Sequence, residues 1–127
     1  MVQLNSDFDR SGANKLALGT VQFGLDYGLF NKTGQVSPQI AKAILNLANK
    51  AGIDTLDTAI AYGNSESVLG NLGVTQWQVV TKLPSVRADC EDWRQWAITQ
   101  VEESIQRLRL KKIYGLMLHR PDRKSVV

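Results

Sequence analysis

Residues 77–84 read Trp77-Gln78-Val79-Val80-Thr81-Lys82-Leu83-Pro84. This is a β-branched, apolar run stopped by proline, and it predicts a strand. Working outward, Trp93, Ala97, Val101, Ile105 and Leu108 recur every three or four residues and predict a helix over about 92–109, with Trp93 and Trp96 packing it. Ile113-Tyr114-Gly115-Leu116-Met117-Leu118-His119, ended by Arg120-Pro121, reads as the next strand. Before the quoted run, Ser65 to Asn71 reads as a short helix stopped by Gly73, and Asp54-Thr55-Leu56-Asp57-Thr58 as a strand of weak propensity. Further back, Ser37-Pro38 opens a helix with a hydroxyl N-cap and proline at the first helical position. Ile40, Ile44, Leu47, Ala48 and Ala51 are expected on its buried face, with Lys50 in the last turn and Gly52 beyond the end. The first strand is expected from Leu16 to Phe23, followed by a Gly- and Asn-rich loop from Gly24 to Gln35.

Strand and helix thus alternate three times and end on a strand. The pattern implies parallel strands joined by helical crossovers, hence an α/β fold. An open doubly wound sheet and part of an eight-stranded barrel both fit it. No Gly-x-Gly-x-x-Gly follows the first strand and no Gly-Lys-Ser/Thr loop occurs, which weighs against a nucleotide-binding open sheet.

Composition narrows the function classes. The 127 residues are 43% hydrophobic and 21% charged, enough chain for one core and too little for two. A net charge of +3, not gathered into one run, does not point to nucleic acid. No apolar stretch approaches the ~18 residues of a membrane span, and Met1 to Asp7 lacks a signal-peptide layout. Cys90 is the only cysteine, so no internal disulfide is possible and a thiol-rich zinc site is excluded. A cytoplasmic, metal-free domain is the expectation, and the Asn31-Lys32-Thr33 glycosylation triplet then has no secretory context.

In parallel α/β folds active sites collect at the C-terminal strand ends. Asp57, Lys82 and His119 stand there, and Tyr62 lies in the loop after the second strand. Taken singly, Asp57 reads equally well as a turn former, Tyr62 as a half-buried aromatic and His119 as structural. Lys82 is harder to set aside, because lysine within Val-Val-Thr-Lys-Leu is costly to bury unpaired. Alternation places Val80 with Lys82, and Gly115 and Met117 with His119, on shared strand faces.

Asp57-x4-Tyr62-Gly63, Thr81-Lys82 and Leu118-His119-Arg120-Pro121-Asp122, in this order, resemble the active-site set of the aldo/keto reductases. Leu18-Gly19-Thr20-x-x-Phe23-Gly24, Gly52 to Ala59, Tyr62-Gly63-x-Ser65-Glu66-x-x-Leu69-Gly70 and Val101-x-x-Ser104-Ile105-x-x-Leu108 resemble the surrounding segments, so the likeness runs over about 15–122. It leaves residues 1–14 as a polar lead-in and 123–127 as a short tail. The resemblance implies a (β/α)8 TIM barrel and hydride transfer between NADPH and the carbonyl of a small-molecule substrate. Tyr62 would be the general acid, Lys82 the ammonium that eases its proton release, Asp57 the group holding Lys82, and His119 the neutral group orienting the substrate oxygen. Gly19, Thr20 and Asp57 would border the cofactor.

An eight-stranded barrel takes ~250 residues, whereas this sequence reaches only its fourth strand. The resemblance therefore implies a truncated form, without the half that holds most of the cofactor, including its adenosine phosphate. Two alternatives stand beside an active reductase: an inactive fragment, and a half-barrel that self-associates and serves as a binding or scaffold module.

Overall fold

The computed structural model describes residues 15–29 and 31–120. The polar lead-in, Pro121, Asp122 and the tail lie outside the described residues. The elements run β1 (Ala17–Gly19), α1 (Val21–Gly24), α2 (Pro38–Lys50), β2 (Thr55–Asp57), α3 (Ser65–Leu72), β3 (Gln78–Leu83), α4 (Trp93–Leu108) and β4 (Gly115–Leu118). All neighbouring strands are parallel, in the order β1-β2-β3-β4. Each strand therefore lies beside its predecessor, with no reversal of strand order. A doubly wound sheet turns back on itself at a switch point, whereas a barrel adds strands in one direction. Of the two architectures open to the sequence, this topology is the barrel's.

Register decides what faces the helices. Leu18 pairs with Leu56 and Leu56 with Val79, forming one apolar row across three strands. Ala41, Leu45 and Ala48 of α2, Val68 and Leu69 of α3, and Leu108 of α4 join Leu56 and Val79 in a single buried cluster. Burying each large side chain there contributes roughly 1.5–3 kcal/mol. Alternation turns Asp57, Val80, Lys82, Gly115 and Met117 to the other face.

α2 begins as expected: Ser37 accepts a hydrogen bond from the Ile40 N–H at 3.4 Å, with Pro38 as its first residue. Its buried stripe differs from the expected one. Ala41, Leu45 and Ala48 face the sheet and Ile44 is half-buried, while Ile40 and Leu47 are 57% and 70% exposed. The buried stripe runs through 41, 45 and 48, and the positions one residue before 41 and 48, Ile40 and Leu47, fall beside it toward solvent. Trp93 is likewise exposed, although the periodicity of α4 places it on the packed side; α4 buries Ser104 and Leu108, and Trp96 only in part.

The first strand is also shorter than expected. Pairing ends at Thr20, whose N–H donates to Asp57 O at 3.0 Å, and Val21–Gly24 then forms one helical turn that seats Phe23 in the core. Among the described residues no helix is long and apolar enough to cross a membrane.

Candidate active site

Asp57 is the last residue of β2, Lys82 the penultimate residue of β3, and His119 the residue after β4, so parallel register brings three functional groups to one sheet edge. Tyr62 reaches the same edge from the loop between β2 and α3. The Lys82 ammonium forms an ion pair with Asp57 Oδ1. It also donates to the carbonyl of Thr58 at 3.0 Å and to the Tyr62 hydroxyl at 3.4 Å. Lys82 is 12% exposed and Asp57 41%, so the cation is nearly dry while its counter-ion meets solvent. The Tyr62 and His119 rings meet edge to face with centroids 5.6 Å apart. The structure thus brings Asp57, Tyr62, Lys82 and His119 together. His119 Nδ1 is buried without a protein partner.

The Tyr62 loop is held from both ends. Hydrogen bonding continues past β2, with Thr58 N–H donating to Val80 O and Ile60 N–H to Lys82 O. Tyr62 N–H donates to Ala59 O, and Ser65 N–H to Tyr62 O, both at 3.0 Å. Beneath the loop lie three fully buried hydroxyls, Thr20, Thr58 and Ser65. One proton apiece satisfies a consistent chain. Thr20 donates to Asp57 O at 3.1 Å and Ser65 to Thr20 O at 2.9 Å, leaving Thr58 to donate to Ser65 Oγ at 3.2 Å. Thr20, expected beside a cofactor, is instead fully buried, with its N–H, hydroxyl and carbonyl all engaged. It secures the end of β1 and presents no surface to a ligand. Gly19 does: a Cβ built on it would find nothing within 4 Å.

Glu66, which the sequence offers only as one position of the segment after Tyr62, is just 3% exposed. Its Oε1 accepts from Thr81 Oγ1 at 2.6 Å and Ser104 Oγ at 2.5 Å, and its Oε2 from Arg107 Nε at 2.8 Å. The available signal is phase. Thr81 sits on the apolar face of its strand and Ser104 within the apolar stripe of α4, where an uncompensated hydroxyl would be costly. A groove of about 350 Å³ lined by Leu83, Trp93, Trp96 and Leu118 is separate from the tetrad, because Leu83 and Leu118 alternate with Lys82 and His119.

A phenol within hydrogen-bond reach of a nearly buried ammonium, with an imidazole against its ring, is an arrangement for delivering a proton to a polar group at the strand ends. A solved structure of a Pseudomonas aeruginosa protein assigned to the aldo-keto reductases is 33% identical, with a TM-score of 0.69, and the match covers 84% of this chain and 43% of that one. A second such structure from the same organism is 30% identical with a TM-score of 0.67, covering 84% and 42%. The chain therefore spans less than half the length of either. A sequence model described as the aldo/keto reductase family matches residues 15–127. By this match, over nearly the whole sequence and including every residue of the tetrad, the chain belongs to the aldo/keto reductase family.

Proposed function

We propose that the tetrad is the proton-transfer end of a carbonyl reductase that uses NADPH. The observation that carries this reading is the Lys82 ammonium held between the Asp57 carboxylate and the Tyr62 hydroxyl. Reducing a carbonyl to an alcohol needs a hydride at carbon and a proton at oxygen. Tyr62 supplies the proton through its O–H. As that proton leaves, negative charge develops on the phenol oxygen 3.4 Å from the Lys82 nitrogen. At an effective dielectric near 20, attraction at such a distance is on the order of 4 kcal/mol. Asp57 offsets part of this, but it also fixes the lysine in direction. His119, packed against the Tyr62 ring, donates a hydrogen bond to the same substrate oxygen from Nε2.

The chain's own residues suit the nicotinamide end of the dinucleotide. Open space beside Gly19 lets a flat ring approach the end of β1, and the partly exposed Asp57 carboxylate borders it. When bound, the reduced nicotinamide supplies the hydride. The phosphate-binding residues of such barrels commonly follow the seventh and eighth strands, so a form carrying all eight strands is the one to assay. With an aldehyde or ketone, NADPH deuterated at the transferring carbon should place deuterium on the carbinol carbon of the product. NADPH loss without label in the alcohol would contradict the reading.

A second reading concerns the 127-residue chain alone. β1 and β4 are the two sheet edges among the described residues, and Tyr114, Leu116, Met117 and Leu118 are exposed at one of them. Unpaired parallel edges beside exposed apolar side chains favour self-association. Sedimentation of the purified chain should show dimers or larger species, and a stable monomer would contradict this.

A further inference from the structure

Two consecutive residues in the first turn of α3 reach in different directions. Ser65 bonds the hydroxyl cluster under the Tyr62 loop, and its own N–H is held by the Tyr62 carbonyl. Glu66 holds Thr81, the residue immediately before Lys82. Side chains alternate along a strand, so Thr81 points toward the helices and Lys82 toward the site, with Cα atoms ~3.8 Å apart. A hold on Thr81 therefore fixes the height and rotation of β3 where Lys82 leaves it. The chain of contacts runs from Tyr62 to Lys82 through three buried residues, Ser65, Glu66 and Thr81.

We propose that the Ser65–Glu66 pair is a positioning device that sets the separation of the Tyr62 hydroxyl and the Lys82 ammonium. Neither residue touches the reacting groups. Each acts through a neighbour, and the inference rests on reading Tyr62 and Lys82 as the proton-transfer pair.

The surroundings of Glu66 match this role better than that of a surface carboxylate that happens to be covered. A carboxylate has two oxygens and here serves three donors, one from β3 and two from α4. Those bonds are charge-assisted, about twice as strong as neutral ones. α3 and α4 also approach closely enough that a Cβ on Gly70 would stand 2.1 Å from Arg107 O, so α3 has little freedom to shift along α4. The helix is thus anchored on its outer side by α4, and Ser65 and Glu66 transmit that anchorage to the two reacting groups.

The test needs no turnover and is made on the 127-residue chain as its soluble self-associated species, isolated by size and matched across the variants. An ammonium held by Asp57, the Thr58 carbonyl and Tyr62 should give one slowly exchanging lysine Nζ signal in an NMR spectrum of chain labelled with 15Nζ-lysine. Lys82→Arg assigns it. Thr81→Val keeps shape and burial while removing the hydroxyl that Glu66 holds. It should speed hydrogen exchange at Lys82 Nζ by about tenfold or more, as expected for loss of a buried hydrogen bond that restrains local opening. Thr81→Ser, which restores the hydroxyl, should restore the slow signal. Should Thr81→Val not fold, Ser65→Ala tests the other arm. His119 is the only histidine, so its ring signals are unambiguous, and they should move when the Tyr62 ring does. A purely structural role lowers the unfolding midpoint but leaves these signals unchanged in the folded variants, and that result would overturn the proposal. No protected lysine signal in the unsubstituted chain would instead overturn the Lys82–Tyr62 contact itself, and the proposed function with it.

Discussion

Gly24 and Gly63 meet backbone to backbone, where the turn after β1 touches the loop that carries Tyr62. A Cβ on Gly24 would stand 1.7 Å from Tyr62 O, and one on Gly63, which has φ +56°, would stand 2.3 Å from Gly24 O. Neither obstacle is a flexible side chain that could swing aside. Gly24→Ala should therefore displace the Tyr62 loop and cost about 1–3 kcal/mol or more, as overpacking does. Urea unfolding checks this, with Gly19→Ala as the control, since a methyl there meets open space.

Leu56 is fully buried in the middle of the apolar row, and Leu47 is 70% exposed on α2. Leu56→Ala should destabilise the chain by about 2–5 kcal/mol, whereas Leu47→Ala should change stability by no more than about 0.5 kcal/mol. Thermal melts of the two variants compare these positions directly. Equal losses would mean that α2 packs through the face containing Ile40 and Leu47 after all.

That comparison also marks what the sequence could show. The ends of α2, α3 and the strand at 78–83 were legible because Ser37-Pro38, Gly73 and Pro84 act locally, through capping and backbone restriction. The tetrad was legible because ionisable residues recur at successive strand ends, where apolar residues would otherwise be expected. The buried side of α2 was not. Its apolar positions span more than one face, and which of them is buried depends on partners distant in sequence, such as Leu56, Leu69 and Trp77 in the same cluster. The turn at Val21–Gly24 was hidden by residues of high strand propensity, because what stops the strand is Thr20 binding across to Asp57 and Ser65, distant in sequence. Glu66 was hidden for a similar reason. An acidic residue early in a helix looks like a surface residue until Thr81, Ser104 and Arg107 are seen around it.

Two arginine–carboxylate pairs should behave differently. Arg107 holds the buried Glu66, and its replacement by Met strands a carboxylate out of water, which should cost on the order of 3–5 kcal/mol. Arg87 pairs with Asp89 in full solvent, where screening leaves little net gain. The Arg87 guanidinium does hold the Asp89 carboxyl below the usual carboxylate range. Any stability from that pair is therefore present above the ordinary carboxylate pKa and fades as pH falls through the lowered one. Arg87→Met should leave the urea midpoint at neutral pH unchanged within error, and Arg107→Met should lower it clearly.

The central claim is that Tyr62 delivers the proton and Lys82 makes that delivery easy. It is tested most directly by the rate of NADPH-dependent carbonyl reduction in a form carrying all eight strands with Tyr62 replaced by Phe. The hydroxyl alone is removed and the ring that packs against His119 stays. The expected result is a fall in kcat of about 10²–10⁴ fold with NADPH affinity nearly unchanged, and a comparably severe loss in Lys82→Met. Near-unchanged turnover in the Phe variant would contradict the account.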